Sequence, residues 1–394
     1  MKKGWEYKKL GDIANDMYRG SGIKREQVTD TGIPCVRYGE IYTTYNIAFD
    51  KCASHTNEEI ISSPKYFETG DILFAITGES VEEIGKSIAY LGKEKCMCGG
   101  DIVVMKHSQY PKYLSYALSS PKAIKQKGLG KTKLKVVHTN IPSLKEISIP
   151  VPPLSEQKEI VEYLDSSFAK IDKLKENAAK NLEEAKALFQ SALKDALEPK
   201  EGWEENKLQE VALDFSRGKS KHRPRNDKRL FGGQYPFIQT GEIRNANVYV
   251  TSHSSTYNEM GLSQSKLWPE DTVCITIAAN IAEVAILKYP CCFPDSVIGF
   301  VADRNKVDKK FVYFSLLNYQ QELKKQGKGS AQDNINLGTF EKNTFPFPPL
   351  SEQQSIVSFL DSLNEKVNTL QQNYSHICDE CDALKQAILR QVFE

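Results

Sequence analysis

The sequence predicts an α+β protein made of two tandem α/β domains, each followed by a long helix, with the two helices packed on each other. Three observations carry this. Pro152-Pro153-Leu154-Ser155-Glu156-Gln157 returns as Pro348-Pro349-Leu350-Ser351-Glu352-Gln353, 196 residues later. Gly4-Trp5-Glu6 followed by Lys9-Leu10 returns as Gly202-Trp203-Glu204 followed by Lys207-Leu208. Each hexapeptide opens an amphipathic segment, the first running to about Glu198 and the second to Glu394. A repeat of this length is too long for a solenoid and reads as domain duplication. The chain thus divides into a domain over 1–151, a helix over 152–199, a second domain over 200–347 and a second helix over 348–394.

Composition sets the class. A chain of 394 residues with 40% hydrophobic and 26% charged residues is ordinary globular protein with room for two domains. No apolar run is long enough to span a membrane, and the opening residues lack the apolar core of a signal peptide. Nine cysteines, an odd number, point to free thiols in a reducing cytoplasm. The net charge of +1 neither suggests nor excludes nucleic acid, so the placing of basic residues matters more than their total.

Within the first domain, Ile33–Ile41, Asp71–Thr77 and Ile102–Met105 are apolar, aromatic or β-branched runs bounded by turn formers, as strands are. Tyr113–Gln126 has apolar residues near helical spacing. The second domain repeats the first with drift. Pro34 to Gly39-Glu40-Ile41 corresponds to Pro236 to Gly241-Glu242-Ile243, and Gly70-Asp71-Ile72-Leu73 to Glu270-Asp271-Thr272-Val273. Scaffold positions repeat while loop residues change, so two different things should be recognised.

The prolines before each helix hold the chain extended. Ser155 is expected to cap the first helix, with Glu156 favoured by the helix dipole. Ser351 with Gln354 would form a capping box on the second. Apolar residues then recur at steps of three and four. In the first helix they are Leu164, Phe168, Ile171, Leu174, Ala178, Leu182, Ala185, Phe189, Ala192 and Ala196. In the second they include Ile356, Leu360, Val367, Leu370, Ile377, Cys381, Leu384, Ile388 and Val392. This is a coiled-coil stripe, and about forty residues of helix would give a rod of roughly 60 Å. Pro199 and Gly202 end the first rod.

Candidate contact residues are basic and polar loop positions. Phe215–Leu230 is the most basic stretch, with Arg217, Lys219, Lys221, Arg223 and Arg225 as candidate phosphate or base contacts. In the first domain the basic, Gly-containing run from Lys122 offers Lys131, Lys133 and Lys135 as backbone contacts. Arg19, Ser21, Arg37, Tyr38 and Lys86 complete that set. Gly128 and Gly130 have counterparts in Gly327 and Gly329, but Ser330, Gln332 and Asn334 follow in place of lysines. The bland reading of any such run is a solvated surface.

Other signals fail on inspection. Gly130-Lys131-Thr132 and Gly85-Lys86-Ser87 end like phosphate-binding loops, but Lys125 and Ser80 stand where the first Gly is required. Cys378 and Cys381 share a helical turn, with Cys381 in the apolar stripe, which suits buried thiols better than a zinc site. No hydrolase triad, nucleotide-cofactor turn or amino-methylation motif is present, and no metal, cofactor or catalytic residue is expected.

Taken together, the duplicated domains, the Pro-Pro-Leu-Ser-Glu-Gln motif closing each, the helices after them and the Trp5 and Trp203 starts resemble the specificity (S) subunit of type I restriction–modification systems. The resemblance covers the whole chain. It implies two target-recognition domains, each reading one half of a split, asymmetric site in double-stranded DNA. It also implies helices packed as an antiparallel coiled coil with pseudo-twofold symmetry, acting as a ruler between the half-sites. These would dock two modification (M) subunits, which carry S-adenosylmethionine and methylate adenine, and restriction (R) subunits would join. The segments Leu154, Ser155, Glu156, Gln157 and Leu350, Ser351, Glu352, Gln353 are the expected partner contacts, and the chain itself would be non-catalytic. Alternatives are an enzyme with an unrecognised site, a coiled-coil scaffold binding proteins, and the specificity subunit of a system cutting on both sides of its site.

Overall fold

Residues 72–75 and 87–90 are buried without exception, because the sheet that holds them is covered on both faces. In the computed structural model, which describes residues 5–130, 136–278, 281–328, 335 and 337–394, this sheet is the centre of the first domain. Its strand order is Ala14–Arg19, Ile102–His107, Ile72–Ala75, Ser87–Tyr90 and Ala48–Phe49, antiparallel except for the last, parallel pair. Side chains alternate between the faces. Ile72, Phe74, Ala89, Val103 and Met105 enter a core shared with the helix Pro111–Leu118. Leu73, Ala75, Ile88, Tyr90, Ile102 and Val104 enter another with Val36, Ile41, Phe49 and Phe67. A second sheet and the pair Glu6–Lys9 with Ser148–Val151 complete the domain.

The second domain repeats this order with Ala212–Arg217, Val297–Ala302, Val273–Thr276, Val284–Leu287 and Tyr249–Val250, again ending in a parallel pair. Glu204–Asn206 pairs with Phe345–Phe347 as Glu6–Lys9 pairs with Ser148–Val151.

The long helices span Leu154–Ala196 and Leu350–Phe393. The chain separates into two compact units, Met1–Ala178 with Tyr374–Glu394, and Ala179–Asn373. Each unit thus holds one domain, the start of its own helix and the end of the other. In the first unit Asp172 pairs with Lys385 and Lys175 with Asp382, so the helix segments run antiparallel. Cys381 is buried there against the Ile171 carbonyl, 3.9 Å away, and all nine cysteines are free thiols. In the second unit Phe189, Leu193 and Leu197 share a core with Ile356, Val357 and Leu360.

Several expectations need correction. The strand from Ile33 stops at Val36, and Tyr38–Thr43 is helical because Glu40 caps the turn. Tyr113–Gln126 is two helices, Pro111–Leu118 and Pro121–Gly128, each with proline in its first turn. Helix entry falls one residue early: Pro153 and Pro349 supply the first acceptor carbonyls, to Gln157 and Gln353 N–H. Ser155 and Ser351 therefore lie inside the first turn and cap nothing. Near the helix ends Leu193, Leu197, Leu389 and Phe393 are the most deeply buried, while Ala196, Ile388 and Val392 are half-buried against the same cores. Leu174, Leu370 and Leu384 face outward. The register of the repeat also moves by one residue. Gly70 N–H donates to Tyr90 O and Asp271 N–H to Leu287 O, both with positive φ, so Asp271 rather than Glu270 takes the place of Gly70.

Candidate nucleic-acid interface

One carboxylate shapes the same turn in both domains. Glu40 accepts the Arg37 backbone N–H at 3.0 Å and the Ser54 hydroxyl at 2.5 Å. Glu242 accepts the Gln239 N–H at 3.0 Å and the Ser254 hydroxyl at 2.5 Å. These bonds hold Glu242 below the usual carboxylate range against the burial that opposes them. Arg37 and Tyr38 stand on this turn in the first domain, and Gln239 and Thr240 in the second. Arg37 adds Nε and Nη2 contacts to Glu40, both 3.3 Å. With Arg25, Tyr38 and Gly22 it lines a cleft of about 750 Å³.

Arg19 and Arg217 are likewise one residue written twice. Each precedes a glycine whose N–H enters the sheet, Gly20 to Ile102 O and Gly218 to Val297 O. A Cβ on either glycine would meet backbone oxygen at 2.2 or 2.4 Å. Arg19 Nε donates to Gly100 O and its Nη2 lies 2.6 Å from Asp101. Arg217 donates twice to Asp295 O, the Nε bond being 2.8 Å. Both side chains stay largely exposed.

The basic stretch of the second domain is built on two acids. Arg225 Nη2 lies 2.6 and 2.8 Å from the oxygens of Asp295, and Arg223 Nη2 approaches to 3.8 Å. Asp227 takes Arg229 at 2.7 Å and His222 at 2.8 Å. Arg229 above all, then His222, holds the Asp227 carboxyl well below its usual range. Lys219 and Lys221 are exposed beside this cluster. The guanidinium groups are thereby held in place rather than waving freely, which is what a phosphate-contacting surface requires.

Two other candidates point inward. Ser21 is buried and its hydroxyl donates to Ser63 O at 2.5 Å. Lys86 donates to the Tyr42 and Tyr45 carbonyls at 3.2 and 3.1 Å, and burial lowers its pKa. Lys127, inside the predicted basic run, is buried against the Ser87 hydroxyl at 3.2 Å and pushed down to about 7. Lys131, Lys133, Lys135, Ser330, Gln332 and Asn334 lie outside the described residues. The sequence singles out neither Gln239 nor the bracing roles of Glu40 and Asp295. The repeated Gly-Glu-Ile after Arg37 and Gln239 was the available signal for Gln239 and Glu40.

The hexapeptides are mainly braces. Gln157 is fully buried. Its amide accepts Tyr110 N–H at 2.9 Å and donates to Pro152 O and Gln109 Oε1, each at 2.8 Å. Gln353 does the same with Asp308 N–H at 2.9 Å, Pro348 O at 2.8 Å and Lys306 O at 3.2 Å. Neither amide faces outward, which corrects their assignment as partner contacts. Trp5 Nε1 donates to Glu156 at 2.8 Å, and Glu352 lies 4.0 Å from Lys200. Leu154, Ser155 and Ser351 remain exposed, and Leu350 is half-buried.

A duplicated α/β frame that repeats its capping carboxylates and changes the polar residues set beside them is a two-part recognition protein. The chain belongs to the type I restriction modification DNA specificity domain family, whose pattern matches residues 2–184 and again 200–377. It is 26% identical over 388 residues to the putative type I restriction enzyme MjaX specificity subunit of Methanocaldococcus jannaschii, covering 92% of this chain and 87% of that one. It is 20% identical to the StySPI specificity subunit of Salmonella potsdam, over all of this chain and 89% of the relative. In structure it resembles a chain from a study of complex assembly and conformational transition in the type I R-M system, with a TM-score of 0.81 at 20% identity. That match covers 99% of this chain and 97% of the other. The HsdS subunit from Thermoanaerobacter tengcongensis matches with a TM-score of 0.57 at 19% identity, covering 99% and 96%. Among the described residues no helix is long and apolar enough to cross a membrane.

Proposed function

We propose that this chain is the DNA specificity subunit of a type I restriction–modification complex. Each domain reads one half of a bipartite, asymmetric site. The chain carries out no chemistry itself and directs the methyltransferase of modification subunits, with restriction subunits joining the assembly. The observation that carries this is the pair of turns held alike by Glu40 and Glu242 but bearing Arg37-Tyr38 in one domain and Gln239-Thr240 in the other. Two like frames with unlike readers suit two unlike half-sites.

Docking of two like partners is supported by a second repetition. Tyr163 and Leu174 on the first helix, both in the first unit, and Phe359 and Leu370 on the second helix, both in the second unit, are between 41 and 57% exposed. Each stands 196 residues from its counterpart. At about 100° per residue, the two on each helix fall within about 20° of one another. A stripe of exposed apolar residues is expected where another protein binds.

The test is a methylation map. The chain is expressed with its modification subunit in a host without DNA methylation, and modified adenines are located by single-molecule sequencing. A split motif with two unlike halves and a fixed spacer is the expected result. Absence of methylation from an assembled complex would refute the reading.

A further inference from the structure

At this turn the two domains agree in the residues that shape the frame and differ in those that face out of it. Gly39-Glu40-Ile41 matches Gly241-Glu242-Ile243, and Ser54 matches Ser254 in its bond to the glutamate. Arg19 and Arg217 hold the same backbone position in the same way. A residue held identically in both domains cannot supply the difference between two half-sites. Arg37-Tyr38 against Gln239-Thr240 can, because the chemistry changes while the backbone beneath it does not.

The side chains themselves narrow the target. Glu40 engages Nε and one Nη2 hydrogen of Arg37. A guanidinium has five N–H donors, so Nη1 and the second Nη2 hydrogen remain as an end-on fork at the cleft that Arg37 helps to line. Two parallel donors match O6 and N7 of guanine in the major groove. Gln239 is exposed, and its carboxamide offers one donor and one acceptor, which match N7 and N6 of adenine. Resting on the function proposed above, we propose that Arg37 and Gln239 are equivalent base-reading residues. Arg37 reads a guanine in the half-site of the first domain, and Gln239 an adenine in that of the second. Arg19 and Arg217 then serve as sugar-phosphate contacts shared by both.

The experiment uses complexes carrying the wild-type chain, Arg37→Gln or Gln239→Arg, each with the modification subunit. They are presented with a plasmid library holding every single-base-pair change of the wild-type site. Wild-type methylation is the control: its absence refutes the proposed function rather than this inference. Arg37→Gln is expected to lower methylation of the wild-type site about 5- to 150-fold. It should prefer a site in which one G·C pair of one half-site has become A·T, with the other half-site unchanged. Gln239→Arg should do the reverse in the other half-site. An unchanged motif in both variants overturns the inference. So does a change in the wrong half-site, or loss of methylation on all library members by an assembled complex, since one lost base contact leaves residual activity. If Arg37→Gln does not assemble, Arg37→Lys replaces it. Relaxed discrimination at that same pair supports the inference, and full discrimination overturns it.

Discussion

The Tyr7 hydroxyl donates to the Phe393 carbonyl at 3.0 Å, joining residues 386 apart in sequence. The Phe393 ring packs edge-on against Tyr113, with centroids 5.5 Å apart, and Glu394 accepts the Lys122 N–H at 2.7 Å. The last turn of the second helix is thus part of the first domain's core. Phe393→Ala should destabilise the first unit by about 3 kcal/mol, the usual cost of emptying a buried aromatic site. Amide exchange should accelerate across residues 5–130 and stay unchanged in 179–373. Equal acceleration in both would contradict the assignment of Phe393 to one core.

Much of this was legible beforehand, and the reasons are physical. Strands buried on both faces announce themselves as apolar runs, and the helices by their period. The illegible parts depend on long-range partners. Nothing local to Gln157 tells that Tyr110 and Pro152 will consume its amide. That Leu193 and Leu197 bury more deeply than Ala192 and Ala196 follows from what packs opposite, since the larger side chains gain more by burial. The strand from Ile33 looks longer in the sequence because its apolar and aromatic residues continue past Val36, although Glu40 three residues after Arg37 marks a helix start. In sequence Lys127 is one more residue of a basic run, because only the fold brings Ser87 over it.

Gln157→Ala and Gln353→Ala make a matched pair. Each leaves a buried N–H and a buried carbonyl without a partner, at a cost of about 1–3 kcal/mol for each such group. The first should expose the Tyr110 amide to exchange and the second the Asp308 amide, each leaving the other unit untouched. Denaturant titration with residue-resolved exchange reads both effects.

Lys127 should make stability depend on pH. Its native pKa is about 7 against 10.5 in the unfolded chain, and burial is the only cause. Below pH 7 both states carry the proton, and the full cost of a buried charge is present. Between pH 7 and 10.5 the unfolded state binds more protons, so stability rises with pH, and above 10.5 the cost has gone. Lys127→Met should therefore stabilise the first unit most below pH 7, on the order of 5 kcal/mol, with the gain fading toward pH 10. The second domain avoids the problem: Glu283 takes the backbone place of Lys86 and pairs with Lys324 at 3.0 Å.

Arg19→Ala and Arg217→Ala should weaken DNA binding by the assembled complex on all sequences alike and leave the methylated motif unchanged. Each should also reduce the slope of log affinity against log salt by about 1. A change of motif in either variant would instead make that arginine a base reader.

Tyr163→Glu combined with Phe359→Glu should abolish capture of modification subunits while DNA contacts stay intact. Either change alone should leave one subunit bound. Analytical ultracentrifugation distinguishes the three stoichiometries.

The capping carboxylate also bears on how such a protein changes over generations. Glu40 and Glu242 fix the backbone of their turns through main-chain and serine contacts, so the neighbouring outward positions contribute little to folding. Substitutions at 37–38 or 239–240 can therefore accumulate without the loss of stability that usually removes new variants. Selection can explore new addresses on DNA in single steps, each carried by a protein that still folds and assembles.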